Sequence, residues 1–146
     1  MTTKTFLISI GLVSVLLITS CKTYYIPVES FKQQLESPAA VLTKQVTTRL
    51  PYGFRETYRA MSIDFIKCFD KDGNEVSLKN SPSVEIRFTD NDNRKTVFYF
   101  DRLSLKGDTI TGGQSRFISS MTKSIPLSKV KLIEIQNAKR GLKYVK

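Results

Sequence analysis

Residues able to do chemistry are few in this chain, and their spacing narrows what they can do. Histidine is absent from all 146 residues. That removes Ser-His-Asp and Cys-His nucleophile systems and the His-containing sites that make up most catalytic zinc centres. Asp70, Asp72, Gly73 and Asn74 superficially match a calcium loop. An EF-hand, however, needs glycine at the sixth position of a loop of about twelve residues and a bidentate Glu at the last. Here Gly73 stands fourth and Ser81 takes the last place, so a hairpin turn is expected. Asp90 and Asp92 lack the glycine as well. Gly112-Gly113 is not followed by the Lys-Ser/Thr helix start of a phosphate loop. Cys68 lies among Phe65, Ile66 and Phe69 and reads as a small core hydrophobe. Lys67 beside it points to the opposite face of a strand. No catalytic residue, metal ligand or cofactor site emerges. Two function classes survive: a non-enzymatic binding domain, and an enzyme acting on a polymer through carboxylate, Lys or Tyr groups whose separation is spatial.

The second cysteine, Cys21, closes a different pattern. Lys4 precedes the apolar run Phe6 to Ile18, and no other charge comes before Cys21. A membrane-crossing helix needs about 20 apolar residues and a secretory h-region about 7 to 15, so this run fits the second. Its end, Ile18-Thr19-Ser20-Cys21, resembles a bacterial lipobox: a branched aliphatic three places before the cysteine, then two small residues and an obligatory Cys. The resemblance implies a helical signal peptide over 1–20, recognised through Ile18, Thr19 and Ser20 and cut between Ser20 and Cys21 by signal peptidase II. Thr19 is less usual there than Ala or Ser. Cys21 would carry diacylglycerol on its thiol and an acyl chain on its new amine, the one attached group expected. One chain binds a bilayer marginally, at about 0.8 kcal/mol per buried CH₂, whereas two or three hold permanently. Cys68 is then the one thiol left, so no disulfide is available to the mature domain. Lys22 stands where Asp signals inner-membrane retention, and Lys22 to Tyr25 lacks the acids of surface-export signals. The implied address is an outer membrane, facing the periplasm.

Removing residues 1–20 leaves about 126, the size of one domain. The whole chain has 23 basic and 13 acidic residues, for a formal charge of +10. The excess is concentrated at the C-terminus, where Lys123, Lys129, Lys131, Lys139, Arg140, Lys143 and Lys146 face the single acid Glu134. Such a bias ordinarily points to nucleic acid, of which an exported lipoprotein meets little, so no nucleic-acid partner is expected. The polyanions of an envelope are lipid headgroups, phosphorylated glycolipid and cell-wall polymer, and a polybasic segment is attracted to all of them. Lys129, Lys131, Lys139 and Arg140 are the binding candidates in this tail. Arg49-Leu50-Pro51-Tyr52-Gly53-Phe54-Arg55 is another: Arg49, Tyr52, Phe54 and Arg55 supply rigid aromatic area and bidentate anion donors around a Pro and a Gly. The partners expected are therefore the membrane, through the lipid, and an envelope protein or anionic glycolipid.

These groups must be positioned by a mainly β domain. Val28, Phe31 and Leu35 recur at helical spacing within Pro27–Glu36, and Ser37-Pro38 ends that helix. It follows a short tether, so residues 21–40 read as tether and helix and 41–146 as the β-rich domain with its basic tail. Strands are expected near Val41–Arg49, Ala60–Phe69, Glu75–Leu78, Val84–Thr89, Lys95–Leu105, Thr109–Thr111, Ser115–Ser119 and Leu132–Gln136. Turn residues at 70–74, 90–93 and 106–108 separate them. Val97-Phe98-Tyr99-Phe100 is apolar on both faces and predicts a strand at the centre of a sheet. Leu127, Val130 and Ile133, following Pro126, predict a 3₁₀ turn. A small antiparallel barrel or sandwich results. Its stretch Phe98 to Gln136 resembles the end of SH3-like barrels.

Overall fold

The computed structural model describes residues 21–138 and 140–145. The segment 1–20, with Ile18, Thr19 and Ser20, lies outside the described residues, as does Lys139. The described chain is mainly β with antiparallel pairing, as its short runs separated by turn residues predict. Its strands are β1 (Thr23–Tyr25), β2 (Thr43–Arg49), β3 (Arg55–Met61), β4 (Phe65–Phe69), β5 (Glu75–Lys79), β6 (Val84–Asp90), β7 (Lys95–Tyr99), β8 (Ser104–Lys106), β9 (Thr109–Gly113), β10 (Thr122–Pro126), β11 (Val130–Asn137) and β12 (Lys143–Val145). They form a six-stranded sheet in the order β5-β4-β1-β11-β6-β7 and two three-stranded sheets, β10-β9-β8 and β12-β2-β3.

Register gives the large sheet two distinct ends. Thr23 lies opposite Gln136, Tyr25 opposite Glu134 and Phe69, Val84 opposite Asn137, and Glu85 opposite Tyr99. The starts of β1 and β6 and the ends of β4, β7 and β11 therefore meet at one end, beside Cys21. The Asp90–Arg94 turn, the start of β11 and the start of β4 lie at the other.

The apolar face of this sheet carries Ile66, Cys68, Ile86, Phe88, Phe98, Ile133 and Ile135. The helix α1 (Val28–Glu36) covers it with Phe31 and Leu35, one turn apart and both buried. The Phe31 ring meets Phe88 edge-on at 5.3 Å between centroids, an arrangement the ring quadrupole favours. Because β1 is only three residues long, it leaves the middle of β4 without a backbone neighbour on that side. The Gln34 amide of α1 fills the gap, accepting from Lys67 N–H at 2.9 Å and donating to its carbonyl at 3.1 Å.

Several expectations are corrected. The tether residues Thr23–Tyr25 are a strand inside the large sheet. Val41 belongs to a second short helix, α2 (Pro38–Val41), which Pro38 starts from its first position, so the next strand begins at Thr43. Ala60–Phe69 is two strands in different sheets, broken at Ser62, whose N–H bonds to the Ala39 and Leu42 carbonyls. Lys95–Leu105 is also two strands, separated by a 3₁₀ turn at Phe100–Arg102. β7 is an edge strand rather than a central one, with Val97 38% exposed. The outer side of Tyr99 is covered by the Arg116 guanidinium, 4.0 Å from the ring centroid, instead of by another apolar layer. Ser115–Ser119 is a loop and not a strand, while Thr122–Pro126 pairs with β9. A 3₁₀ turn follows Pro126 as expected, at Leu127–Lys129, but Val130 and Ile133 of the spacing that predicted it belong to β11.

Candidate functional site: a cation row above a buried ionic cluster

The sheet β12-β2-β3 separates two kinds of polar chemistry. Strand alternation sends Thr48, Tyr58, Glu56 and Tyr144 inward. It sends Gln45, Thr47, Arg49, Arg55, Thr57, Arg59 and Lys143 outward.

Inside, Asp101 comes from the 3₁₀ turn after β7 and Arg116 from the β9–β10 loop. Their side chains are 0% and 1% exposed, and they pair at 2.6 Å. The other Asp101 oxygen accepts from the Tyr58 hydroxyl at 2.5 Å and the Tyr144 hydroxyl at 2.7 Å. Arg116 also donates to Tyr58 Oη at 2.6 Å and to the Pro82 carbonyl at 2.7 Å. Thr48 Oγ1 lies 3.1 Å from Tyr58 Oη. Burial, followed by the neighbouring Asp101 carboxylate, pushes the Tyr58 hydroxyl up to about 12. The same two causes in the same order raise Tyr144 well above the ordinary tyrosine range. For Arg116 burial is the largest influence and opposes the charge, but the Asp101 carboxylate together with Tyr58 and Tyr144 raises the guanidinium above its ordinary value and holds it ionised. Next to this group Arg102 stacks its guanidinium 4.1 Å from the Tyr58 centroid, pairs with Glu56 at 2.5 Å and donates to the Ser115 carbonyl at 3.1 Å. Tyr58 and Tyr144, held protonated, and Arg116, held charged, have no proton to exchange near neutral pH. The cluster is a clamp, joining β3, β12, the 3₁₀ turn and the β9–β10 loop.

Outside, Lys143 lies directly opposite Arg49, and Arg49 directly opposite Arg55. Directly opposed residues share a face at roughly 5 Å spacing, so three cations form a row across three strands. Like charges so placed repel. No Asp or Glu occupies this outer face, and among the described residues none of the three has a carboxylate within salt-bridge distance. The row borders the β2–β3 hairpin, closed by the Leu50 N–H on the Phe54 carbonyl at 2.7 Å. Pro51 opens a 3₁₀ turn there, and Tyr52 and Gly53 take positive φ of 63° and 82°. Positive φ is uncommon for an aromatic residue, and it leaves the Tyr52 side chain 96% exposed, with Phe54 at 66%.

The expected binding residues are thus only partly gathered. Arg49, Tyr52, Phe54 and Arg55 share the hairpin. Arg140 pairs with Glu85 at 3.0 Å at the Cys21 end. Lys129 and Lys131 lie at the far end, where the Lys129 carbonyl accepts from Asn91 N–H and Lys131 Nζ reaches Asn93 Oδ1 at 2.6 Å. The basic tail is therefore not one surface. Lys143 completes the row and was legible only as part of a charge run, because β12 is three residues long. Cys21 is exposed. Cys68 is fully buried, its thiol directed at the Val76 carbonyl and pushed up by burial, as a core position requires. Among the described residues no group of three or more acid or cysteine side chains is placed to hold a metal ion. No protein-family model matches the chain, and neither a curated protein nor a solved structure matches it significantly.

Proposed function

We propose that this chain is a membrane-anchored envelope lipoprotein whose β-domain is non-enzymatic and binds an envelope component through an anionic group. One observation carries the reading: Cys21 is exposed and a single residue, Lys22, separates it from β1, which is hydrogen-bonded between β4 and β11. A lipid on that sulfur leaves almost no slack, so the domain rides against the headgroups instead of floating on a leash. Binding is favoured over catalysis by where the acids sit. Glu56 and Asp101 both line the concave space of about 370 Å³ along the free edge of β3, beside Arg59, Arg102 and hydroxyls such as Thr43 and Ser104, but Asp101 is enclosed in its own cluster and Glu56 is already paired with Arg102.

Metabolic acyl labelling with membrane fractionation tests the anchor. Wild type should carry label, begin at Cys21 and sediment with membranes, whereas Cys21→Ala should lose both the label and the cut after Ser20. A wild-type chain that carried no label, or label that persisted in Cys21→Ala, would end this reading.

A further inference from the structure

The two loops that expose the most apolar surface are tied to the same end of the molecule as Cys21. The β2–β3 hairpin reaches it through β12: Lys143 sits opposite Arg49, and the preceding carbonyl, of Leu142, accepts from Ser83 Oγ at 3.2 Å. Ser83 immediately precedes Val84, the first residue of β6, which lies opposite Asn137 at the end of β11. From β6 to β1 is two strand spacings, roughly 10 Å. The β9–β10 loop is pinned there by Arg116 on Asp101 and on the Pro82 carbonyl, and it exposes Phe117 and Ile118 at 69% and 51%. Directly opposed cations distinguish this end from the opposite one, where Lys129 and Lys131 also lack a carboxylate within salt-bridge distance among the described residues but neither stands opposite another cation. Val41, Leu42 and Phe65 are also exposed at the far end, but the cation beside them, Lys44, is paired with Asp64 at 3.0 Å. At the Cys21 end Lys22 and Lys71 line one groove with Asp70 and Asp72, while Lys143, Arg49 and Arg55 stand in a row with no carboxylate within salt-bridge distance among the described residues.

We propose that the hairpin tip, with Tyr52 and Phe54, and the cation row beside it dock onto anionic lipid headgroups of the bilayer that holds Cys21. This rests on the anchored reading above and adds an orientation to it. Aromatic rings prefer the headgroup level of a bilayer, and a cation row without counter-charge is complementary to a phosphate surface. The lipid supplies permanence, while the row and the rings decide which face looks down and which face stays open to the periplasm.

The lipidated protein, reconstituted into vesicles of phosphatidylethanolamine with or without phosphatidylglycerol, provides the test. A polarity-sensitive fluorophore is placed at Tyr52→Cys or, for the far end, at Leu42→Cys; Cys21 is acylated and Cys68 buried, so neither competes for label. The label at 52 should shift to the blue and become several-fold less accessible to an aqueous quencher when phosphatidylglycerol is present. High salt, or the combined Arg49→Glu, Arg55→Glu and Lys143→Glu, should reverse this, and the label at 42 should not respond. Equal quenching at 52 in both vesicle types, protection at 42 instead, or protection at 52 that ignores salt and lipid charge would overturn the docking. All these proteins should stay vesicle-bound through their lipid. Loss of docking with retention on the vesicle therefore sinks the orientation alone, whereas release of the acylated protein would sink the anchor itself.

Discussion

The two faces of the β12-β2-β3 sheet hold similar residue types under opposite rules. On the inner face every charge has its partner: Asp101 is shared by Arg116, Tyr58 and Tyr144, and Arg102 is matched by Glu56. On the outer face Lys143, Arg49 and Arg55 stand side by side with no acid among them. A buried ion that loses its partner costs several kcal/mol, while an exposed cation is screened by water and salt. The inner arrangement is thus demanded by folding. The outer one is tolerated by folding and is open to an external anion.

Breaking the inner face should have the largest effect. Asp101→Ala leaves Arg116 charged, buried and without its carboxylate, and should destabilise the domain by about 3–5 kcal/mol. Chemical denaturation would show this as a large fall in midpoint, or as failure to accumulate folded protein. Tyr144→Phe removes one hydrogen bond to a charged acceptor, at the edge strand β12, and should cost about 1.5 kcal/mol. Hydrogen exchange should show Tyr144 and Val145 opening first.

Alkaline pH sharpens the comparison because only the inner face responds through tyrosine. The Tyr58 hydroxyl titrates near 10 when unfolded and about 12 when folded. Above pH 10 the unfolded chain gives up this proton first. The stability due to its burial is therefore intact below pH 10 and is lost as pH rises through about 12. Tyr144 is raised in the same direction. Urea midpoints should drop over that window in wild type and drop less in Tyr58→Phe. An equal slope for both proteins would mean that the hydroxyl is not held as described. The smallest effect belongs to the outer face: Arg49→Gln with Lys143→Gln should change stability by less than about 0.5 kcal/mol, with any change a gain from relieved repulsion. A loss of 2 kcal/mol would show that the row supports the fold and is not reserved for a ligand.

Much of the fold was readable because its signals are local. The Phe31/Leu35 spacing of α1, the Asp70–Asn74 and Asp90–Asn93 turns and the 3₁₀ turn after Pro126 all depend on near neighbours. Errors arose where tertiary partners override local pattern. Tyr99 looked like a second core face because nothing in Val97-Phe98-Tyr99-Phe100 announces that an arginine seventeen residues later will cover its ring. Arg116 itself sat in a stretch whose Phe117 and Ile118 suggested a strand. Thr23–Tyr25 is too short to register as a strand alone and exists because β4 and β11 offer it two edges. Of the candidate surface, the aromatic and guanidinium content of Arg49–Arg55 was visible, but the pairing of Arg49 with Lys143 across ninety-four residues was not. The Asp101 cluster had no sequence signal, since its members come from four separate segments.

All of this turns on how the domain is held. Intact mass measurement of the mature polypeptide decides the matter most directly: the account predicts a chain that begins at Cys21 and carries the added mass of diacylglycerol and an amide-linked acyl group. A mature chain with an unmodified amino terminus, or one still beginning at Met1, would contradict it.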